Sequence, residues 1–497
     1  MTHTIIIGAG MAGLSAAITL GAKAKPGERI TLIEKQPAPG GKMRTVSIGN
    51  HAIDAGPTVF TMHWVFTSLF AEAGLRFEDY VQVQQARTLA RHFWDGDTHP
   101  FDLHADEKKT VAQIKDYFGA QNAEGYRRFS ADSKAIFETL KDTFIAAPRP
   151  SPVELTRRIG FLKLPTLLAL RPFSTLWDAL GDYFTDPRLR QLFGRYATYV
   201  GSSPFAAPAT LMLIAHVEQA GVWTVDGGMH ALAKGMEKAA HDLGVSIRRG
   251  HVQSVVTRNG RASQLVLSEG ETIAADRIVY AGDVSHLTPA FFDGAAPKFP
   301  IVPFKDRALS AITFNVSAPT SGQALHRHNV FFSNDYPAEF DAIFKQHTAP
   351  HQPTVYVCAQ SRGDDCTAKG DTDQLLCLIN APAFGDAKRL SKEELAPWEE
   401  ATFSLLARCG LTVERTAQNT HITQPADFEA LFPGSGGALY GRASHGWLAS
   451  FSRPGARTKL KNFYLAGGSV HPGAGVPMAT LSGQLAAQQM MQDHGSI

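Results

Sequence analysis

The sequence is poor in cysteine, with four in 497 residues. Cys358, Cys366, Cys377 and Cys409 follow one another at intervals of 8, 11 and 32 residues. None of these is the two-residue spacing from which zinc, iron–sulfur and dithiol sites are built, so no metal is expected and the thiols read as reduced. There is also no excess of charge: Lys plus Arg number 48 and Asp plus Glu 46, a net of +2, which leaves no cationic surplus for holding a polyanion. No nucleic-acid partner is expected. No run of about 18 apolar residues is free of charge, which excludes an ordinary membrane-spanning helix but leaves open a helix lying on a membrane surface. A strand begins within four residues of the N-terminus, with no basic segment, apolar segment and small-residue cleavage site in series, so a cytoplasmic location is expected. Disorder and a small disulfide scaffold are excluded by 44% hydrophobic and 19% charged residues. At about 100 to 200 residues per domain, two to four domains are expected.

The informative segments are rich in glycine. Thr4 to Ile7 reads as a strand, Gly8-Ala9-Gly10-Met11-Ala12-Gly13 as a turn, the small residues through Leu20 as a helix, and Ile30 to Ile33 as a second strand ending at Glu34. That is the opening βαβ unit of a dinucleotide-binding fold. Gly8 permits the tight turn, Gly10 lets backbone approach a pyrophosphate, Gly13 lets helix and strand pack closely, and the helix N-terminus faces the phosphate charge. Glu34, 21 residues after Gly13, is placed to accept a hydrogen bond from an adenosine ribose hydroxyl, and an acid there disfavours NADP. NAD and FAD satisfy these features equally. Gly40-Gly41-Lys42-Met43-Arg44 then offers backbone amides and cations where the second half of a flavin dinucleotide would run, although taken alone such a stretch is as often a solvated loop. Asp54-Ala55-Gly56-Pro57-Thr58 adds another tight turn. Gly434-Ser435-Gly436-Gly437 comes after Phe432-Pro433 and precedes no helical stretch, so it reads as a turn and not as a second nicotinamide site.

From Asp106 to about Leu192 the pattern is helical. Strand-like runs return at His251 to Thr257, Gln264 to Leu267 and Ile278 to Tyr280. A further group at Ser310 to Val316, Thr354 to Ala359 and Leu375 to Ile379 suggests a second, largely antiparallel sheet. Phe463 to Ala466, a glycine-rich loop and a small-residue helix from Met478 to Met491 repeat the logic of the chain's opening. The expected fold class is α/β, with a discontinuous Rossmann-like domain from residues 1–85, 222–290 and 455–497. A mixed-sheet substrate domain would come from 86–104 and 291–454, and a helical insertion, in contact with a membrane, from 105–221.

Taken together, residues 8 to 13, Gly40-Gly41 with Arg44, and Gly467 to Pro477 resemble the FAD-dependent amine oxidase and carotenoid desaturase superfamily. Four segments are more specific: Asp54 to Phe60, Arg195 to Pro204, Phe432 to Gly441 and Ala466 to Met478. They are similar to bacterial carotenoid desaturases, and most of all to the 1-hydroxycarotenoid 3,4-desaturases. The likeness spans nearly the whole chain and is weakest in about 284–430. It implies an FAD-dependent oxidoreductase of carotenoid biosynthesis that introduces the C3–C4 double bond into an acyclic 1-hydroxy- or 1-methoxycarotenoid. It sets the cofactor on Gly8, Gly10, Met11, Ala12, Gly13, Glu34, Lys35, Gly41, Lys42, Met43, Arg44, Pro57, Thr58 and the backbone of Val252. In the C-terminal loop it adds Gly467, Gly468, Gly475, Val476 and Pro477. Gly468 stands where many flavoenzymes carry an acid for the ribityl chain, a departure shared by carotenoid desaturases and unlike amine oxidases.

Arg157 to Trp177 mixes cations with Leu, Phe and Trp, as a segment lying on a membrane would; an amphipathic helix pair buried against the core is an equal reading. Dehydrogenating carbons that bear no heteroatom needs a redox cofactor, and a cation spread along a polyene loses its proton to a weak base, so no catalytic side chain is assigned. Asp226 and Glu218 are the carboxylates considered, and each reads more readily as a cap or a packing group than as a base. His92, His216, His230 and His471 are isolated. Oxygen or a quinone is the expected electron acceptor. Phytoene desaturation and a nonenzymatic escort of prenyl lipids, with a degenerate flavin site, are the competing readings.

Overall fold

The computed structural model of the chain describes residues 2–97, 99–160, 171, 173–368 and 370–495. Isoleucines fill the first strand, Thr2–Ile7, whose middle is buried on both faces, as a parallel strand lying under helices requires. The small residues after it cannot fill a sheet face and instead form the helix Met11–Gly21, ten of whose residues are buried. Five strands form a parallel sheet in the order Ser246–Arg249, Glu28–Glu34, Thr2–Ile7, Arg277–Tyr280 and Phe463–Leu465. The beginning, middle and end of the chain therefore meet in one sheet. The C-terminal helix Val476–Asp493 lies against Met11–Gly21, where Ser15 Oγ donates to the Thr480 carbonyl at 2.6 Å.

A smaller sheet runs Thr272–Ala274, Arg261–Leu267, Val252–Arg258 and Phe292–Asp293. Its central hairpin turns at Asn259-Gly260, both with positive φ, as a two-residue hairpin loop demands.

The largest sheet has seven strands, in the order Thr420–Thr423, Ser310–Ala318, Asp373–Ala381, Val355–Ala359, His328–Phe332, Thr88–Trp94 and Phe101–His104. All pairs are antiparallel except His328–Phe332 with Thr88–Trp94. Alternation along its strands sorts side chains between two environments. Leu375, Cys377 and Ile379 join Leu395, Leu405 and Leu406 of the helix Lys392–Arg408 in a dry core, whereas Leu376, Leu378 and Asn380 face a central cavity.

The opposite wall of that cavity is helical. Ala120–Leu140, Pro152–Ile159 and Leu213–Gln219 contribute Leu140, Leu155 and Ile214 to it, and in the core behind them the rings of Phe129, Phe184 and Phe193 have centres 4.7 to 5.4 Å apart. No helix among the described residues is long and apolar enough to cross a membrane. Of the cationic and apolar segment 157–177, residues 161–170 and 172 lie outside the described residues.

Candidate active site

Four parallel strands end in the same crevice, and the residues directly after each strand form its floor. Ile7 leads into Gly8, Glu34 into Lys35, Tyr280 into Ala281-Gly282-Asp283, and Leu465 into Ala466-Gly467-Gly468. A ligand crevice outside the carboxyl ends of parallel strands is the rule for such sheets. Two glycines are required by contact. A Cβ on Gly13 would stand 1.8 Å from the Gly8 carbonyl oxygen, so helix and strand meet only without a side chain there. Gly41 has φ +58° and its Cβ would come 3.1 Å from the Gly10 Cα. Gly10 differs: a Cβ there meets nothing nearer than 4.0 Å, leaving open space in front of the first turn of Met11–Gly21. Backbone N–H groups facing an open cradle suit a pyrophosphate.

Glu34 lines the cavity and also holds its rim. Oε2 accepts from Ala9 N at 2.6 Å and Oε1 from Gln36 N at 2.8 Å. A carboxylate has about four lone-pair sites, so two remain for ligand hydroxyls. Lys42 donates to the Leu439 carbonyl at 2.7 Å, and burial lowers its pKa, opposed by the Asp283 charge. Arg453 braces the C-terminal loop, donating to the carbonyls of Gly468 at 2.7 Å, Arg442 at 3.0 Å and Tyr440 at 3.1 Å. Burial brings its pKa down to about 10.

The cavity is continuous, with a volume of about 830 Å³. Its wall includes Gly8, Gly10, Met11, Ala12, Glu34, Lys35, Gly41, Lys42, Met43, Pro57, Thr58, Val252, Gly467, Gly468, Gly475, Val476 and Pro477. Gly13 stands behind that wall at the helix–strand contact. Arg44 packs elsewhere: Nη2 donates to Thr423 Oγ1 at 3.1 Å and the guanidinium lies 5.7 Å from the Phe428 ring centre. Beyond the glycine cradle the wall is largely apolar, with Met62, Leu140, Ile145, Leu155, Ile214 and Val217 among its residues, and it reaches Pro152 and Trp447. Next to Trp447 the surface exposes Phe173 and Leu448, and the Phe173 and Trp447 rings are 5.8 Å apart; Val153, beside the wall residue Pro152 in the chain, is also exposed.

Several wall residues carried no sequence signal as site residues. Ala281, Gly282 and Asp283 come directly after a recognisable strand, and that position was the available clue. Thr313, Tyr356 and Asn380 come from the seven-stranded sheet, where only the register reveals which alternate residues face inward.

The two carboxylates considered as bases lie apart from the wall. Asp226 is exposed on a turn. Glu218 is buried and receives the hydroxyls of Tyr196, at 2.7 Å, and Tyr199; burial raises its pKa. His230 Nε2 pairs with the Pro39 carbonyl at 3.0 Å, and His471 Nε2 with the carbonyls of Phe144 and Ala147, both at 2.9 Å. His92 and His216 lie among aromatic rings. Among the described residues no three His, Cys, Asp or Glu side chains group as metal ligands would. Phe432 to Gly437 forms a turn closed on the Glu429 carboxylate, which accepts from the amides of Gly434, Ser435 and Gly437.

The family of flavin containing amine oxidoreductases matches residues 11–491. The chain is 45% identical to a hydroxyneurosporene desaturase of Rubrivivax gelatinosus, over 99% of this chain and 93% of that protein. It is 40% identical to the hydroxyneurosporene desaturase of Cereibacter sphaeroides, over 99% and 98% respectively. Among solved structures it resembles an oxidoreductase from Methanosarcina mazei, with a TM-score of 0.60 at 14% identity over 99% of this chain and 100% of that one, a likeness of fold. A glycine cradle at the ends of parallel strands, an open first helical turn and this family match agree: the chain belongs to the flavin-containing amine oxidoreductases and is an oxidoreductase with a flavin cofactor.

Proposed function

We propose that the chain is an FAD-dependent desaturase that introduces the C3–C4 double bond into an acyclic carotenoid carrying a hydroxyl or methoxy group at C1. The observation that carries this reading is the continuity of one cavity from the glycine cradle to an apolar part lined by Leu140, Ile145, Leu155, Ile214 and Trp447. A polar ligand with a charged pyrophosphate fits the first part and a long hydrocarbon the second. Gly8, Gly10, Met11 and Ala12 would hold the pyrophosphate, Glu34 the adenosine ribose, and Gly467, Gly468 and Gly475 to Pro477 the ribityl and ring portion. Bound there, FAD supplies the two-electron acceptor that carbon–carbon dehydrogenation needs. The protein's own part is to exclude water and hold the target bond in place with apolar side chains. With Asp226 exposed and Glu218 occupied by tyrosines, neither is assigned as the acceptor of the substrate's proton, which needs only a weak base.

Phe173, Trp447 and Leu448, exposed by 84, 48 and 46%, form an apolar surface beside the cavity wall at Trp447 and would rest on a membrane surface from which the substrate enters. That arrangement supports a peripheral position on a membrane, which would be the cytoplasmic or photosynthetic membrane; oxygen or a quinone would be the final electron acceptor.

The test is product analysis: FAD-loaded chain with 1-hydroxy-, 1-methoxy- and phytoene substrates in vesicles, followed by absorption and mass. Products of the first two with one added conjugated double bond and two fewer hydrogens are expected. Conversion of phytoene alone contradicts the reading. A protein that takes up no flavin points to the lipid escort instead.

A further inference from the structure

The apolar cavity has one polar side that the glycine cradle does not use. Arg195 opens the turn Arg195–Val200 and is enclosed by protein, yet it keeps accessible surface because that surface faces the cavity. Its guanidinium lies 5.4 Å from the ring centre of Tyr199 and 5.7 Å from that of Tyr356. Among the described residues it forms no ion pair within 4 Å; the carboxylate that steadies its charge from further off, Glu218, is taken by two tyrosine hydroxyls. The Tyr199 hydroxyl also takes one of its donors, and aromatic faces offset the charge of a guanidinium without spending the rest of its five N–H groups. This polar side stands next to the flavin turns. Tyr356 Oη meets Thr58 Oγ1 at 2.6 Å, Thr58 is the residue after Pro57, and Gly56 abuts the Lys42 carbonyl so closely that a Cβ would fall 1.9 Å from its oxygen.

We propose that Arg195 is a specificity-determining residue, donating to the oxygen of a tertiary hydroxyl or ether that ends an otherwise hydrocarbon substrate. The proposal deepens the proposed desaturase function and rests on it. In such a substrate a single methylene separates the oxygen-bearing carbon from the bond to be oxidised, so one grip beside the flavin turns places both. A guanidinium only donates, and therefore takes a hydroxyl or a methoxy oxygen alike. A plain hydrocarbon end would leave buried donors stripped of water and unpaired, which is how a polar site rejects an analogue lacking its oxygen.

The test measures kcat/KM of FAD-loaded wild type, Arg195→Met and Arg195→Lys on 1-hydroxy, 1-methoxy and oxygen-free carotenoids of equal conjugation. Wild type is expected to favour both oxygenated substrates by roughly 10- to 100-fold. Arg195→Met should lose most of that preference while keeping flavin absorbance, and Arg195→Lys should regain part of it. Equal kcat/KM for all three substrates in wild type, or a proportional fall on all three in Arg195→Met, overturns the proposal. Should Arg195→Met fail to hold flavin, the wild-type ratio and the Lys variant decide by the same criterion. Wild type that converts none of the three contradicts the functional reading itself.

Discussion

Gly10 and Gly13 lie three residues apart and look alike in sequence, but their surroundings assign them different work. A Cβ on Gly13 collides with the Gly8 backbone, so Gly13→Ala should destabilise the protein by several kcal/mol, on the order of 3, and abolish flavin retention. A Cβ on Gly10 enters open space and its φ of −70° suits any residue, so Gly10→Ala should melt near the wild-type temperature yet bind flavin much more weakly. Thermal melting read alongside flavin absorbance separates the two; equal loss of both in the two variants contradicts the assignment. The glycine spacing and Glu34 were legible because they depend on local geometry. Arg195 was legible only as part of a resembling segment, because its role arises from Tyr356, which reaches it across the fold.

Asp54 shows how one turn ties elements together. Oδ2 accepts from Met229 N at 2.6 Å and Oδ1 from His230 N at 3.2 Å, so the carboxylate caps the helix Met229–Asp242 from a distant strand. Its own carbonyl accepts from Asn315 at 3.1 Å and Gln360 at 2.8 Å in the large sheet. Asp54→Ala should cost about 2 kcal/mol, through orphaned helix amides and lost charge at the helix start, and Asp54→Asn less. Urea unfolding checks this; an unchanged midpoint in Asp54→Ala contradicts it. Strands with dense branched or aromatic residues, such as Ser310–Ala318 and Asp373–Ala381, are readable from sequence. Ser246–Arg249 is not: Ser-Ile-Arg-Arg is an edge strand with one apolar residue, and no alternation marks it. Which face of Asp373–Ala381 meets the cavity is likewise invisible until its partners are known.

The assembled chain buries several histidines. Burial holds His92 and His328 down to about 3, and His445 and His471 down to about 4. In the unfolded chain each titrates near 6.5. Between about pH 6.5 and 4 the unfolded state therefore binds protons that the folded state refuses, and stability falls as the pH drops through that window. For His471 alone the full effect is roughly 3 kcal/mol. The urea midpoint should be clearly lower at pH 5 than at pH 7, and a flat profile contradicts this. Assembly also makes the site, since the cavity closes only when the two ends of the chain meet in one sheet beside the large one. The most direct measurement is anaerobic mixing of the FAD-loaded protein with a 1-hydroxycarotenoid. Loss of oxidised flavin absorbance matched one for one by a carotenoid with one more conjugated double bond is the predicted result; flavin that stays oxidised while the carotenoid is bound would contradict the account.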